Sequence, residues 1–151
     1  MIVSASYKTD IPAFYGAWFR NRLDAGYCKV LNPYSNRAQR VSLARDDVSA
    51  FVFWTKNVGP FLGTLAEVRR RGYPFVVQYS ITGYPRPLEP HVVPAAASVR
   101  HMRMLCDLYG PRSAVWRYDT IVFSSVTPPR FHLRTFERLC RDARLLRGLC
   151  H

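Results

Sequence analysis

Four short apolar runs alternate with longer amphipathic runs along this chain. The apolar runs are rich in valine, isoleucine, phenylalanine and tyrosine, residues that favour β-strands. Each run ends in polar residues, and in the second run Thr55, Lys56 and Asn57 follow the apolar residues with no spacer. We therefore predict four strands, at MIVSAS (1–6), VSAFVFWTKN (48–57), YPFVVQYSITGY (73–84) and SAVWRYDTIVF (113–123).

The amphipathic runs between the strands predict helices. The first helix has Asp10 as its cap residue, an early proline at position 12 and Gly26 just past its end. Residues 27–33 are expected to form a short strand or an edge excursion, and residues 42–47 a turn. The four predicted helices cover 12–25, 60–71, 94–109 and 129–147.

The apolar spacing also predicts which side of the last two helices faces the core. The inward positions are Val99, Met102, Leu105, Cys106 and Tyr109 in the third helix, and Phe136, Leu139, Cys140 and Ala143 in the fourth. A row of arginines is expected on the solvated side of the fourth helix, namely Arg130, Arg134, Arg138 and Arg141.

Strands that alternate with helices form parallel sheets covered by helices. Right-handed crossovers place the C-terminal ends of such strands on one side, where α/β folds and barrels bind their ligands. We therefore expect the polar residues after the four runs to share one site. They are Lys8, Thr9, Asp10, Thr55, Lys56, Asn57, Tyr79, Ser80, Thr82, Gly83, Tyr84, Glu89, Arg117, Tyr118 and Asp119.

Three charged residues of this set are the candidate catalytic groups. Lys56 is expected to bind a carboxylate or phosphate, or to act as a base if burial removes its charge. Arg117 and Asp119 lie two positions apart and so project to the same face of their strand. They either pair with each other or orient a polar ligand.

Other residues of the set also have simpler explanations. Asp10 is accounted for as a helix cap, Glu89 as an exposed loop carboxylate and Gly83 as a turn residue. The aromatic residues near the strand ends are expected to pack in the core rather than to stack on bases. These are Trp54, Tyr79 and Trp116.

The chain is strongly basic, with 22 lysines and arginines against 10 acidic residues and a net charge of +12. Solvated helix faces explain such an excess, and it also suits a nucleic acid or a phosphorylated ligand. The N-terminus lacks the pattern of a signal peptide, and no run approaches the roughly 20 apolar residues that cross a bilayer. We therefore expect a cytoplasmic protein without a membrane partner.

The four cysteines do not have the spacing of a zinc or iron–sulfur loop. A metal site formed by Cys140, Cys150 and His151 is a weaker hypothesis than reduced, mostly buried thiols. The chain also lacks a legible Ser-His-Asp arrangement, a G-x-G-x-x-G loop and a Walker loop. These absences argue against acyl transfer and against nucleotide binding of those kinds.

Four motifs closely resemble a bacterial family, the domain of unknown function numbered eighteen forty-eight. They are SASYKTDIPAFY, VSAFVFWTKN, QYSITGYPRPLEP and AVWRYDTI, and they follow the family's order over essentially the whole chain. Lys8 replaces the family's usual arginine, and Thr120 its usual proline. The matching site positions are Thr9, Asp10, Trp54, Thr55, Lys56, Asn57, Thr82, Gly83, Tyr84, Glu89, Arg117, Tyr118 and Asp119.

The resemblance implies a radical-SAM-like barrel protein that uses a [4Fe–4S] cluster and S-adenosylmethionine. The expected fold class is α/β, a partial TIM-like barrel of about four parallel β/α units with helices on the outer face. Residues 1–151 are then a single domain, the N-terminal half of a longer barrel, in which the family's C-terminal cysteine cluster has no counterpart.

A truncated and catalytically incomplete protein is therefore expected, and whether the chain is itself an enzyme stays open. The expected ligand is a polar or anionic small molecule, and the open barrel edges predict self-association. Two alternatives remain at this point. One is a basic α/β module that binds nucleic acid or phosphorylated ligands, and the other is a non-functional gene remnant.

Overall fold

The computed structural model describes residues 1–6, 8–32 and 34–144, with side chains up to residue 142. Its strands are β1 (Ile2–Ser4), β2 (Tyr27–Leu31), β3 (Ala38–Ser42), β4 (Ala50–Thr55), β5 (Phe75–Ser80) and β6 (Ala114–Arg117). Its α-helices are α1 (Ile11–Phe14), α2 (Gly16–Ala25), α3 (Leu62–Arg70), α4 (Ala95–Tyr109) and α5 (Pro129–Arg144). A 3-10 helix at Gly59–Phe61 leads into α3.

Four strands form one sheet in the order β1-β4-β5-β6, and every neighbouring pair is parallel. The predicted parallel α/β sheet is therefore confirmed. The remaining strands, β2 and β3, pair with each other as a separate antiparallel hairpin. The four strands lie in the sheet in the same order in which they follow one another along the chain, as is usual for consecutive β/α units.

One face of the sheet carries the core. Alternate residues of the central strands are fully buried on this face, among them Phe51, Phe53 and Val77. Phe19 of α2 packs edge-on against Phe51, Phe53 and Phe61, with ring centroids 5.3–5.6 Å apart. Aromatic pairs at such distances add to the free energy gained by burying their area.

The opposite face of the sheet, which we call the open face, has no buried residue. Strand register places the residues of this face side by side, for example Val52 beside Val76 and Trp54 beside Gln78. All of its residues are exposed or half-buried. They are Ile2, Ser4, Ala50, Val52, Trp54, Val76, Gln78, Ser80, Val115 and Arg117.

The prediction of one helix over 12–25 is wrong, because the chain breaks at Tyr15. The backbone angles of this residue, φ −126° and ψ 29°, are not helical, and its amide closes α1 by donating to the Ile11 carbonyl. Phe14 and Trp18 lie four positions apart, as residues on one side of a continuous helix would, but neither packs in the core, since both side chains are well exposed.

The last two sheet strands are shorter than the sequence pattern predicted. β5 ends at Ser80 and β6 at Arg117, so the apolar residues 121–123 lie outside the sheet and are exposed. The pattern also missed β3, because its exposed, mostly polar residues lack the apolar alternation of a half-buried strand.

The core-facing side of α4 is confirmed by the burial of Val99, Met102 and Leu105. The prediction for α5 is partly wrong. Its buried residues are His132, Thr135 and Leu139, whereas Phe136 is 46% exposed. The polar residues His132 and Thr135 thus lie on the buried side of α5, and a search for apolar spacing does not detect polar residues there. Ala143 lies outside the described side chains, and residues 145–147 lie outside the described chain.

Candidate functional site

The carboxyl ends of the four parallel strands are linked by side chains. Asp10 follows β1 and bridges two of these ends. Its Oδ1 accepts a hydrogen bond from the Ala13 amide at 2.9 Å, which caps α1. Its Oδ2 accepts from the Lys56 amide, just after β4, at 3.0 Å. Asp10 is therefore both a helix cap and a connection between strand ends.

A second set of contacts joins β4 to the segment after β5. The Lys56 ammonium forms an ion pair with Glu89. The other carboxylate oxygen of Glu89 accepts a hydrogen bond from the Thr82 hydroxyl at 3.1 Å. The Glu89 side chain is only 13% exposed, so the interpretation as an ordinary exposed loop carboxylate is wrong. A carboxylate this buried needs such partners to offset its lost hydration.

A third set lies on the open face, where β4, β5 and β6 end. Asp119 accepts from the Arg117 guanidinium at 2.5 Å and from the Ser80 hydroxyl at 3.0 Å. The same guanidinium lies over the Trp54 ring, 4.2 Å from its centroid. Arg117 and Asp119 therefore pair, and Trp54 binds a cation there instead of packing in the core.

The loop after β5 brings Gly83 and Tyr84 to the same end of the sheet. The Tyr84 hydroxyl donates to the Thr120 carbonyl at 2.6 Å and accepts from the Val122 amide at 2.9 Å. Gly83 has φ +62°, and a Cβ placed there would lie 3.0 Å from the Thr135 side chain. The glycine thus allows both the left-handed turn and the approach of α5.

Two tyrosine–histidine pairs connect the ends of β5 and β6 to helices α4 and α5. Tyr79 and His101 share a hydrogen bond of 3.2 Å, and Tyr118 and His132 share one of 3.0 Å. Burial raises the pKa of both tyrosine hydroxyls, so they are neutral near pH 7. Burial, assisted by the charge of Arg100, lowers the pKa of His101. Neither histidine follows a predicted strand in the sequence, and both pairs were therefore missed.

A cavity of about 520 Å³ opens beside the end of β5. Thr82, Gly83 and Glu89 line it, together with groups that sequence analysis did not assign to the site. These additional polar groups are Arg86, Ser98, Arg138 and Asp142. Arg138 is exposed, as predicted for the outer row of α5, but it also borders this cavity. Only the packing of α5 against the β5 loop could have revealed that role.

Comparison with known families identifies the chain. The family model described as "Domain of unknown function (DUF1848)" matches residues 2–150. The chain belongs to this family. Comparison with curated proteins gave no match, and comparison with solved structures gave none.

Several residues that were predicted for the site of this DUF1848 domain make hydrogen bonds only within their own turn or to a neighbouring helix. Thr55 is buried on the core face, and its hydroxyl accepts from the Asn57 amide at 2.9 Å. The Asn57 side-chain oxygen in turn accepts from the Gly59 amide at 3.1 Å. Tyr118 contacts His132 of α5, as described above, and Thr9 is exposed. The charged members of the predicted set thus carry most of the interactions between strand ends.

Metal ligands do not converge in the described part of the DUF1848 domain. Its cysteines, Cys28, Cys106 and Cys140, are half-buried free thiols on three different elements. Residues 1–6, 8–32 and 34–144 contain no group of three or more histidine, cysteine or acidic side chains placed to hold a metal ion. Cys150 and His151, part of the weaker metal hypothesis, lie outside the described residues.

The helices within the described ranges were also compared with the requirements of a membrane span. None of them is both long enough and apolar enough to cross a bilayer.

Proposed function

We propose that the carboxyl ends of β1, β4, β5 and β6 form a binding site for a small polar molecule that carries a carboxylate or phosphate. One observation carries this proposal: side-chain contacts made by Asp10, Lys56, Glu89 and Asp119 connect all four strand ends. Parallel α/β folds bind their ligands at this end of the sheet.

Lys56 and Arg117 are the proposed anion-binding groups. Each has a carboxylate partner, Glu89 and Asp119 respectively, and each remains partly accessible, with 38% and 28% of its side chain exposed. An incoming anion competes with these carboxylates for the same donors. Arg117 is suited to a bidentate contact because its guanidinium is planar and is held against Trp54.

The catalytic assignment of Lys56, Arg117 and Asp119 is part of the same proposal. Because Lys56 is ion-paired, we assign it the role of an electrostatic contact rather than that of a base. Asp119 positions the guanidinium of Arg117, and its hydrogen bond from the Ser80 hydroxyl holds the Asp119 carboxylate in place. The uncharged residues Thr82 and Tyr84 supply hydroxyl groups that fix the orientation of a polar ligand.

We also infer that the four β/α units belong to a TIM-type barrel. Support comes from the strand order, which follows the chain, and from the core on one face only. A radical-SAM-like role is a further expectation from the family resemblance. The described cysteines do not fit a [4Fe–4S] cluster, which needs several thiolates close together, and we therefore derive no step through a cluster or through S-adenosylmethionine.

Binding of inorganic phosphate and of citrate tests the proposed site. For a dissociation constant of about 1 mM, 10 mM ligand adds about 1.4 kcal/mol of stability, or roughly 3–6 °C in melting temperature. Lys56→Met and Arg117→Gln should abolish this shift. The matched control Arg112→Gln, which changes an exposed residue just before the amino end of β6, should keep it.

Ionic strength must be held constant with sodium chloride, so that the shift reports specific binding. The proposal is refuted if neither anion shifts the melting temperature of the wild-type protein. It is equally refuted if the Arg112 control loses the shift to the same extent as the Lys56 and Arg117 variants.

A nucleic-acid partner is the second candidate, and exposed arginines on α5 favour it. Arg130, Arg134, Arg138 and Arg141 are all exposed. Fluorescence anisotropy of a labelled single-stranded oligothymidine distinguishes this function from the first. Binding that weakens steeply with salt and is lost in Arg134→Glu/Arg141→Glu, but not in Lys56→Met, indicates nucleic acid. Absence of binding at low salt removes this candidate.

A further inference from the structure

The cavity beside the end of β5 adjoins both ion pairs of the proposed site. Glu89, the partner of Lys56, lines this cavity. Ser80 also lines it, and the Ser80 hydroxyl donates to Asp119, the partner of Arg117. The cavity volume of about 520 Å³ lies within the range of roughly 300–1,000 Å³ that is usual for small-molecule sites. A ligand held at either ion pair therefore has room to extend into the cavity.

Arg138 of α5 brings a positive charge to this cavity. Its Nη2 lies 3.4 Å from the position that a Cβ on Gly83 would take, so the guanidinium passes close to this glycine. Burial raises the pKa of Tyr118, and the charge of Arg138 opposes that effect, which indicates that the guanidinium also lies near the end of β6. Although its side chain is exposed, Arg138 is thus directed toward the strand ends.

A second arginine lines the cavity from the loop after β5. Nη1 of Arg86 donates to the Pro90 carbonyl at 2.6 Å, and this contact holds the side chain across its own loop. A guanidinium has several N–H donors in one plane, so others are left for a ligand. Arg86 and Arg138 therefore bring two guanidinium groups from different elements to one cavity. Guanidinium groups suit the planar, bidentate binding of carboxylates and phosphates.

Two acidic residues of the same lining oppose this positive charge to different degrees. Glu89 is bound by the Lys56 ammonium and by the Thr82 hydroxyl, so its charge is largely compensated. Asp142 lies four positions after Arg138, about one helical turn further along α5. An anionic group in the cavity is therefore favoured near Arg138 and disfavoured near Asp142.

We propose that the ligand of this domain carries two separated anionic groups, and that Arg138 and Arg86 bind the second group in the cavity while Lys56 binds the first. This subsite rests on the proposed function, because Lys56 belongs to the anion site at the strand ends. The ligand class is then an organic dianion, in which a short carbon skeleton joins two carboxylate or phosphate groups. Gly83 is part of the subsite, since a side chain there would crowd the Arg138 guanidinium.

Two anionic groups on one molecule should bind more tightly than one. The contact with Arg138 is charge-assisted, and a ligand already held at Lys56 makes it at a high effective concentration. We therefore expect a ligand with two anionic groups to bind about 10-fold more tightly than a matched ligand with one, a difference of about 1.4 kcal/mol.

Isothermal titration calorimetry of the full chain tests the subsite by comparing butyrate with succinate, glutarate and adipate at one ionic strength. The three dicarboxylates differ in the separation of their carboxylates, and the best of them should bind about 10-fold more tightly than butyrate. Arg138→Gln should remove this difference. The matched control Arg134→Gln removes the same charge from an exposed position of α5 outside the cavity lining and should keep the difference.

Asp142→Asn tests the same cavity with a change of opposite sign. Removing this carboxylate from the lining should tighten binding of the best dicarboxylate about 2–3-fold, because a repulsion is lost. The matched control Glu137→Gln changes an exposed residue of α5 outside the lining and should have a smaller effect. Equal effects of the two variants would place the second anionic group elsewhere and overturn the proposal.

Inorganic phosphate, titrated in the same way, separates failure of this subsite from failure of the proposed function. If phosphate binding depends on Lys56 but no dicarboxylate binds more tightly than butyrate, the subsite is refuted and the site at the strand ends stands. If Arg134→Gln and Arg138→Gln weaken dicarboxylate binding equally, the arginines of α5 act only through their overall charge, and the subsite is again refuted. If neither phosphate nor any carboxylate binds, both proposals fail.

Discussion

Replacing Asp10 by alanine removes a carboxylate that stabilises two neighbouring elements. One oxygen caps α1 through the Ala13 amide, at 2.9 Å. The other accepts from the Lys56 amide at 3.0 Å and ties the end of β4 to the segment after β1. If both contacts matter, the loss of stability must exceed that of an ordinary helix cap.

The two contacts can be given separate magnitudes. Losing an N-cap side chain costs about 1 kcal/mol. Leaving the half-buried Lys56 amide without its acceptor costs about 1–3 kcal/mol, toward the lower value because water reaches it in part. Asp10→Ala should therefore lose about 2–3 kcal/mol. Asp10→Ser keeps a capping hydroxyl but cannot reach Lys56, so it should lose only about 1–2 kcal/mol.

Urea unfolding followed by circular dichroism measures both variants as shifts of the midpoint at constant m-value. Asp46→Ala, at an exposed position, is the control and should stay within about 0.5 kcal/mol of the wild type. Equal stability of Asp10→Ser and the wild type would mean that Asp10 is a helix cap and nothing more. The link between strand ends, on which the proposed site depends, would then lack energetic support.

Two further predictions concern stability. Gly83→Ala should lower the free energy of unfolding in urea by about 1–2 kcal/mol, because φ is +62° and the new methyl group would crowd Thr135. The control Gly63→Ala, on α3 with open space around it, should instead raise the free energy of unfolding by about 0.5–1 kcal/mol. Equal effects of the two substitutions would contradict this geometry. Burial lowers the pKa of His101 in the folded state, so as the pH falls the unfolded chain takes up this proton first. The contribution of His101 to the free energy of unfolding should therefore be fully present above its ordinary pKa of about 6.5. It should be lost progressively as the pH drops below that value. His101→Gln should flatten this part of the pH profile while keeping a polar partner for Tyr79, and an unchanged profile would show that another group is responsible.

The order and direction of the sheet strands followed from local patterns. Each strand is an apolar run whose residues must be buried, and the helix between two such runs forces the parallel direction. The ends of the elements followed less well. The predicted helix over 12–25 breaks at Tyr15, and β6 stops at Arg117 although apolar residues continue to position 123. Periodicity does not register the hydrogen bonds that end an element.

Part of the candidate site was also predictable. Asp10, Lys56 and Asp119 lie in the segments that follow apolar strands, so a parallel sheet brings those segments to one end. Their partners were not predictable in the same way. Glu89 lies 33 positions beyond Lys56 in a proline-rich loop, and His132 belongs to a helix whose charged pattern suggested a solvated role.

The sequence by itself determined that this DUF1848 domain has parallel strands with charged residues at one end, because strand type, burial and crossover direction depend on nearby residues. Only the tertiary structure decided which charges pair, which histidines are buried and which face of the sheet is left open. Those features depend on contacts between segments far apart in the chain. A pattern read along the chain has no information on such contacts, because their free energy arises only once the helices pack against the sheet.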